Sequence, residues 1–216
     1  MVLLHLQTSA NTMAEFDSSD EESGEIDQTP FEISWLDLSG VGSDEKLGIS
    51  ALPGCKFKDT WRSIQNDLKR LQDCGIKDVF TLCTRGEMNK YRVPNLLNEF
   101  SAYDITVHHY PFPDGQVPPI DSLVKMVEEL RINVMNGKKS VVHCYGGLGR
   151  SCIVAVCLLM MMDESLTAND AIEKVRDLRG HSAVQSVKQY NFVQDFRQLL
   201  AEYKKDEDNE CRSLSR

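Results

Sequence analysis

The sequence predicts a single α/β domain in which a central, mainly parallel sheet is flanked by helices on both faces. Three observations carry that expectation. Short apolar, β-branched runs alternate with amphipathic helical stretches from residue 31 to about 205, the pattern of strands joined by crossover helices. Residues 152–162, Cys-Ile-Val-Ala-Val-Cys-Leu-Leu-Met-Met-Met, are apolar all round, and that length suits a helix buried inside a domain, not a membrane span. Finally, Ser140-Val141-Val142-His143 leads through the glycine-rich stretch 144–149 into this helix. In open parallel sheets, ligands bind at such carboxyl ends of strands.

The elements follow in order. Residues 1–30 are polar, acidic and poor in aromatics, so they are expected to form a disordered tail. Ser18 and Ser19 stand directly before Asp20-Glu21-Glu22, a context suited to an acid-directed kinase. The plainer reading of this tail is a solubilising charge run. Ile33–Leu36 and Leu47–Ile49 read as short strands. Residues 59–73 read as a helix capped by Asp59 or Thr60, with Trp61, Ile64, Leu68 and Leu71 on one face. Val79–Cys83 reads as a buried strand, Pro94 to about Tyr103 as a short helix and Ile105–Tyr110 as a strand. A long helix then carries Ile120, Leu123, Val127, Leu130 and Val134 on one stripe, and Gly137 ends it. Two further helices are expected, over about 167–178 and 186–203. Residues 206–216 are expected to form a flexible tail beyond the domain spanning 31–205.

The segment His143-Cys144-Tyr145-Gly146-Gly147-Leu148-Gly149-Arg150-Ser151 carries the chemistry. A cysteine six residues before an arginine is uninformative alone. With glycine at the third position and serine after the arginine, chance supplies the pattern in about 1 of 500 chains of this composition. Only a thiolate is a competent nucleophile, and loop N–H groups, a helix N-terminus and a guanidinium all favour an anion. The same groups favour a phosphate in the cradle formed by Tyr145, Gly146, Gly147, Leu148, Gly149 and Arg150. The glycines allow N–H groups to turn inward. Arg150 can grip two phosphate oxygens. Ser151 can donate to the sulfur and improve it as a leaving group, while His143 orders the loop through backbone contacts. His143 is a poor general base, because a residue preceding the nucleophile along a strand points the opposite way. Asp114, in Tyr110-Pro111-Phe112-Pro113-Asp114-Gly115, is the expected general acid on a closing loop. Asp121 and Asp104 are reserves, Asp121 reading better as a helix cap. Gln185 or Gln189, in Gln185-Ser186-Val187-Lys188-Gln189-Tyr190-Asn191-Phe192, could hold the water of a second step.

His143-Cys144-x-x-Gly147-x-x-Arg150-Ser151 resembles the signature loop of the protein tyrosine/dual-specificity phosphatase superfamily. Pro113-Asp114 is similar to its mobile acid loop, and the Gln185–Phe192 segment to a C-terminal motif in which Ser186 replaces a more usual threonine. Phe16–Glu22, Ala51–Asp59, Cys83–Glu87 and Lys90–Leu97 further resemble the kinase-associated branch of that superfamily, from about Glu15 to the C-terminus. The resemblance implies the cysteine phosphatase fold, a phosphocysteine intermediate and no metal or other cofactor. It also implies a substrate, the activation-loop phosphothreonine of a cyclin-dependent kinase, and hence a role in cell-cycle control.

Composition narrows the alternatives. The chain has 24 basic against 33 acidic residues, a formal charge of -9, which disfavours nucleic-acid and anionic-membrane partners. Seven of the carboxylates fall between Glu15 and Asp27, where there is no basic residue. Seven cysteines without a CxxC pair speak against a disulfide framework or a zinc site. The expected setting is therefore reducing and cytoplasmic, with a nuclear or perinuclear share, and the expected state is a monomer. Cys83 and Cys152 are candidate partners for a protective disulfide with Cys144, and Arg85 and Arg92 for positioning substrate. Rival readings are a phosphoinositide phosphatase and a kinase-docking module without catalysis. The first would reward lysines where Tyr145, Gly146, Leu148 and Gly149 stand.

Overall fold

The computed structural model describes residues 25–214, with side chains described to residue 209. The expected tail with its Ser18 and Ser19 therefore lies, up to residue 24, outside the described residues. The elements are β1 (Ile33–Asp37), β2 (Lys46–Ser50), β3 (Lys56–Phe57), β4 (Thr60–Trp61), α1 (Ile64–Asp73), β5 (Asp78–Thr81), α2 (Arg85–Lys90), α3 (Leu96–Glu99), β6 (Thr106–His109), α4 (Ile120–Met135), β7 (Ser140–His143), α5 (Arg150–Met162), α6 (Ala168–Arg179) and α7 (Val187–Leu214). A five-stranded sheet runs in the order β1-β2-β7-β5-β6. Only its edge strand β1 is antiparallel to its neighbour; β2, β7, β5 and β6 are mutually parallel.

Alternation along each strand sends side chains to two separate cores. Leu47, Ile49, Phe80, Leu82 and Val142 face the layer of α4, α5, α6 and α7. Val79 and Val141 face the layer holding Leu68 and Leu71 of α1, Met88 of α2 and Leu96 of α3. Helix α5 lies within the larger core, buried from Arg150 to Met160, as its all-apolar composition predicts. No helix among the described residues is long and apolar enough to cross a membrane.

Several elements differ from expectation. The helix expected from residue 59 begins at Ile64 with Ser63 as its cap, the Ser63 hydroxyl accepting the Asn66 N–H. Neither Asp59 nor Thr60 caps it, because Thr60 and Trp61 pair instead with β3 in a small hairpin. The helix expected over 94–103 is a single α turn followed by a 3-10 turn over Phe100–Tyr103. Asp121 is not a cap either: Pro119 holds that position and Asp121 lies in the first turn of α4, where its charge complements the helix dipole.

The packed chain starts before residue 31. The Asp27 N–H donates to Trp61 O at 2.7 Å, and Arg62 joins the Asp27 and Asp67 carboxylates, each at 2.8 Å. At the other end α7 carries helix through the expected tail as far as Leu214. Residues 203–209 hold no glycine or proline, and Tyr203 donates to Glu207 one turn on, so nothing there stops the helix.

Candidate active site

The site forms where β7 and β5 end side by side. Thr81 and His143 are partners in register, and the Leu82 N–H donates to His143 O at 3.0 Å. Beyond His143 the chain turns through residues 144–149 into α5. What shapes the turn is the fate of the carbonyls of residues 145–149, each of which is bonded to the scaffold. Tyr145 O accepts from Leu52 N at 3.0 Å, and Gly146 O from Arg179 Nη2 at 3.2 Å. Gly147 O accepts from Arg179 Nε at 3.1 Å and from the Cys152 thiol at 3.4 Å. Leu148 O takes the Val184 N–H at 2.9 Å and Gly149 O the Ile153 N–H at 3.1 Å. With the carbonyls held by the scaffold, the peptide N–H groups are left for the cradle, the geometry of an anion-binding nest at a helix N-terminus. Gly147 is required for a second reason: at φ +68, an added Cβ would come within 2.6 Å of Ser50 O.

Cys144 sits in this cradle, 2% exposed, its sulfur accepting the Gly147 N–H at 3.3 Å. The expected bond from Ser151 to the sulfur is not formed. The Ser151 hydroxyl is buried in the first turn of α5 without a hydrogen-bond partner, and the Gly147 amide supplies a donor to the sulfur instead. His143 is fully buried, and its Nε2 pairs with Thr81 Oγ1 at 2.9 Å. Burial, with Arg150 and His109 acting in the same direction, pushes its pKa down to about 3. It is therefore a neutral ring anchored between strands, in keeping with an ordering role.

Arg150 is wholly buried and held from one side. Its Nη1 and Nη2 bond the two carboxylate oxygens of Glu87 at 2.9 and 2.7 Å, and Nη1 also donates to Phe112 O at 2.8 Å and Leu82 O at 3.2 Å. The edge formed by Nε–H and the second Nη2 hydrogen makes no hydrogen bond among the described residues and meets only the Asp114 carboxylate at 3.3 Å, a fork suited to two oxygens of a phosphate. Burial works against the charge of this group, but the hydrogen bonds and negative charge of Glu87 raise its pKa above the ordinary arginine value. Glu87 is held below the usual carboxylate range: burial opposes its ionisation, and hydrogen bonds from Arg150 and Thr84 overcome it.

Glu87, like Arg179, is a residue that sequence reasoning missed. Its signal was local: Thr84-x-x-Glu87 is a capping box, with the Thr84 N–H donating to Glu87 Oε2 and the Glu87 N–H to Thr84 Oγ1. That pattern announces helix α2 and nothing of the arginine 63 residues away.

Asp114 reaches the site as expected, its Oδ1 3.3 Å from Arg150 Nε on a half-exposed loop. Asp104 does not; it closes the 3-10 turn at the amino end of β6, opposite the carboxyl ends that build the site. The acid loop is fastened to the start of α7, where the Ser186 hydroxyl donates to Gly115 O at 3.2 Å and Gln189 Nε2 to Gln116 O at 3.3 Å. The two glutamines are thereby sorted. Gln189 is buried, and its carbonyl accepts the Gln185 and Ser186 N–H groups. An added Cβ on Gly149 would lie 2.8 Å from Gln185 Oε1 and 3.1 Å from Gln189 Nε2, so both amides border the cradle, and Gln185 is the exposed one of the two.

Cys83, Cys144 and Cys152 are all buried and none is in a disulfide. Burial pushes Cys152 up to about 12 and Cys83 higher still, so neither competes as a nucleophile.

Residues 6–172 match the family model described as cyclin-dependent kinase inhibitor 3. The chain is 53% identical over 203 residues to cyclin-dependent kinase inhibitor 3 of Sus scrofa and 51% identical to that of Homo sapiens, covering in each case 94% of this chain and 96% of the relative. A solved structure of kinase associated phosphatase, with its catalytic-site cysteine replaced by serine, is 50% identical and superposes with a TM-score of 0.79 over 81% of this chain and 98% of that one.

Proposed function

We propose that this chain, which belongs to the family of cyclin-dependent kinase inhibitor 3, removes phosphate from the activation-loop phosphothreonine of a cyclin-dependent kinase. The chain is a cysteine phosphatase of the dual-specificity class. In this reading the Cys144 thiolate attacks phosphorus while the ester P–O bond breaks, and Asp114 passes its proton to the departing oxygen. The phosphoryl charge is met by the loop N–H groups and the free edge of Arg150. Water held by Gln185 then attacks phosphorus, the P–S bond breaks, Asp114 takes the water's proton, and inorganic phosphate leaves.

The observation that carries the chemistry is the fork of Arg150, free of hydrogen bonds and close to Asp114, beside a loop whose carbonyls at residues 145–149 are bonded to the scaffold. The kinase substrate is supported by what the relatives are called and by the likeness over nearly their whole length. A reducing cytoplasmic or perinuclear setting belongs to the same proposal, and cell fractionation would check it.

The test is phosphate release from a cyclin-dependent kinase phosphorylated on its activation-loop threonine, with a phosphotyrosine peptide alongside. Cys144→Ser should abolish turnover on both and keep phosphoprotein binding, and Asp114→Ala should slow kcat by about 10² to 10⁴. Turnover of the peptide but not the kinase would remove the partner and keep the chemistry. A parent enzyme as silent as Cys144→Ser would leave a kinase-docking module.

A further inference from the structure

Beside the loop, on the side away from α7, lies a surface the mechanism does not use. Tyr145 stacks on Tyr91 with ring centroids 4.3 Å apart, and Phe57 meets Tyr91 edge-on at 5.2 Å. Three exposed cations crown these rings: Lys90 lies 4.9 Å from the Phe57 centroid, Lys58 5.5 Å from the same ring, and Arg92 5.1 Å from Trp61. None of the three has an ion-pair partner among the described residues, and Asp59, next along the hairpin turn, pairs with none of them. Lys58 and Arg92 are moreover held in left-handed backbone, at φ 52 and 60, a conformation that costs a long side chain and marks sites with a use for the orientation it gives. In a chain of net charge -9, an unpaired cationic crown on aromatic rings calls for an anionic partner.

The chain supplies one. Residues 15–25 hold Glu15, Asp17, Asp20, Glu21, Glu22 and Glu25 and no cation. Immediately after them the backbone is pinned at the edge of this surface: the Asp27 N–H bonds Trp61 O, and the Trp61 ring is the one under Arg92. Eleven residues reach up to about 36 Å when extended, ample to cross a patch of this size. We propose that the acidic segment 15–25 docks in cis on the rim formed by Lys58, Lys90 and Arg92, beside the mouth of the phosphate loop. Phosphate added at Ser18 or Ser19 would tighten the contact by adding charge.

Carbodiimide coupling of the full chain at low concentration tests the contact without reference to catalysis, since it joins only amines and carboxylates that touch. Lys58 or Lys90 should be linked to residues 15–25 within the monomer, with the yield falling several-fold at high salt and in Arg92→Gln. In the spectrum of ¹⁵N-labelled full chain, Asp20→Asn/Glu21→Gln/Glu22→Gln should move the amides of Lys58, Lys90 and Arg92 and the Trp61 indole. Coupling of the tail only to Lys69, Lys138, Lys139 or Lys204, or unmoved rim amides, would overturn the proposal. Linkage found only between two copies would give the rim to a neighbouring molecule's tail and overturn docking in cis. A kinetic corollary rests on the phosphatase reading: the same tail variant should lower KM several-fold for a phosphopeptide with acidic flanks and leave a small aryl phosphate unaffected. If the links form and the kinetics do not move, docking stands and only the competition with substrate fails.

Discussion

Arg150 and Glu87 form the pair on which the cradle depends, since the buried guanidinium is aimed by a carboxylate on a different helix. Glu87→Gln keeps the shape and removes the charge, leaving a buried cation underpaired. It should cost about 1–3 kcal/mol of stability and lower kcat/KM at least tenfold, read by denaturant melts and steady-state kinetics. Gly147→Ala asks for a Cβ at 2.6 Å from Ser50 O in left-handed backbone and should abolish turnover, with binding of inorganic phosphate lost as well. At this scale the sequence was legible where chemistry is contiguous. The nine residues from His143 to Ser151 put Cys144 and Arg150 in one loop, and the structure brings the proline-flanked Asp114 to 3.3 Å from Arg150 Nε. Glu87, Arg179 and Ser50 were not legible, because each acts on the loop across a long separation in the chain. The Ser151 hydroxyl stands unpartnered in the first turn of α5, while a backbone amide donates to the sulfur, a contact that side-chain motifs do not display.

Among the elements, the start of α7 couples structure to chemistry. The Ser186 hydroxyl accepts the Gln189 N–H and donates to Gly115 O, so it caps the helix and holds the acid loop at once. Serine and threonine offer the same hydroxyl for both tasks, which explains why serine serves where the superfamily more often has threonine. Ser186→Thr should therefore leave kcat within about twofold, whereas Ser186→Ala should cost about 1 kcal/mol and slow turnover, measured by thermal melts and kcat with an aryl phosphate. Long helices with a clear stripe were legible; α4, α5 and α6 match their expected positions closely. The hairpin β3–β4 was not, because Trp61 fits a helical stripe as well as a strand and only its pairing with Lys56 decides. Helix α2, six residues long, is too short for periodicity and was visible only in its capping box.

For the whole molecule, a sheet covered on both faces places a wholly buried imidazole, His143, on its central strand β7. Its pKa in the fold is about 3 against 6.5 for the free ring. The unfolded chain therefore binds a proton first. The stability contributed by the neutral ring is complete above pH 6.5 and drains away as pH falls toward 3, by up to about 1.4 kcal/mol per pH unit. Chemical denaturation between pH 7 and 4 should show that slope in the parent, and a flatter one in His143→Asn even if that variant starts less stable. The bonded carbonyls of residues 145–149 have a different consequence, for divergence between relatives. A phosphate site written in peptide groups asks for no particular side chain at Gly146, where an added Cβ would meet nothing, so that position is free to drift and to retune what the pocket admits. The vulnerability is exported instead to Arg179, which grips Gly147 from 32 residues away. A substitution there would read in an alignment as a change on a distant helix, and in the enzyme as the loss of its anion site.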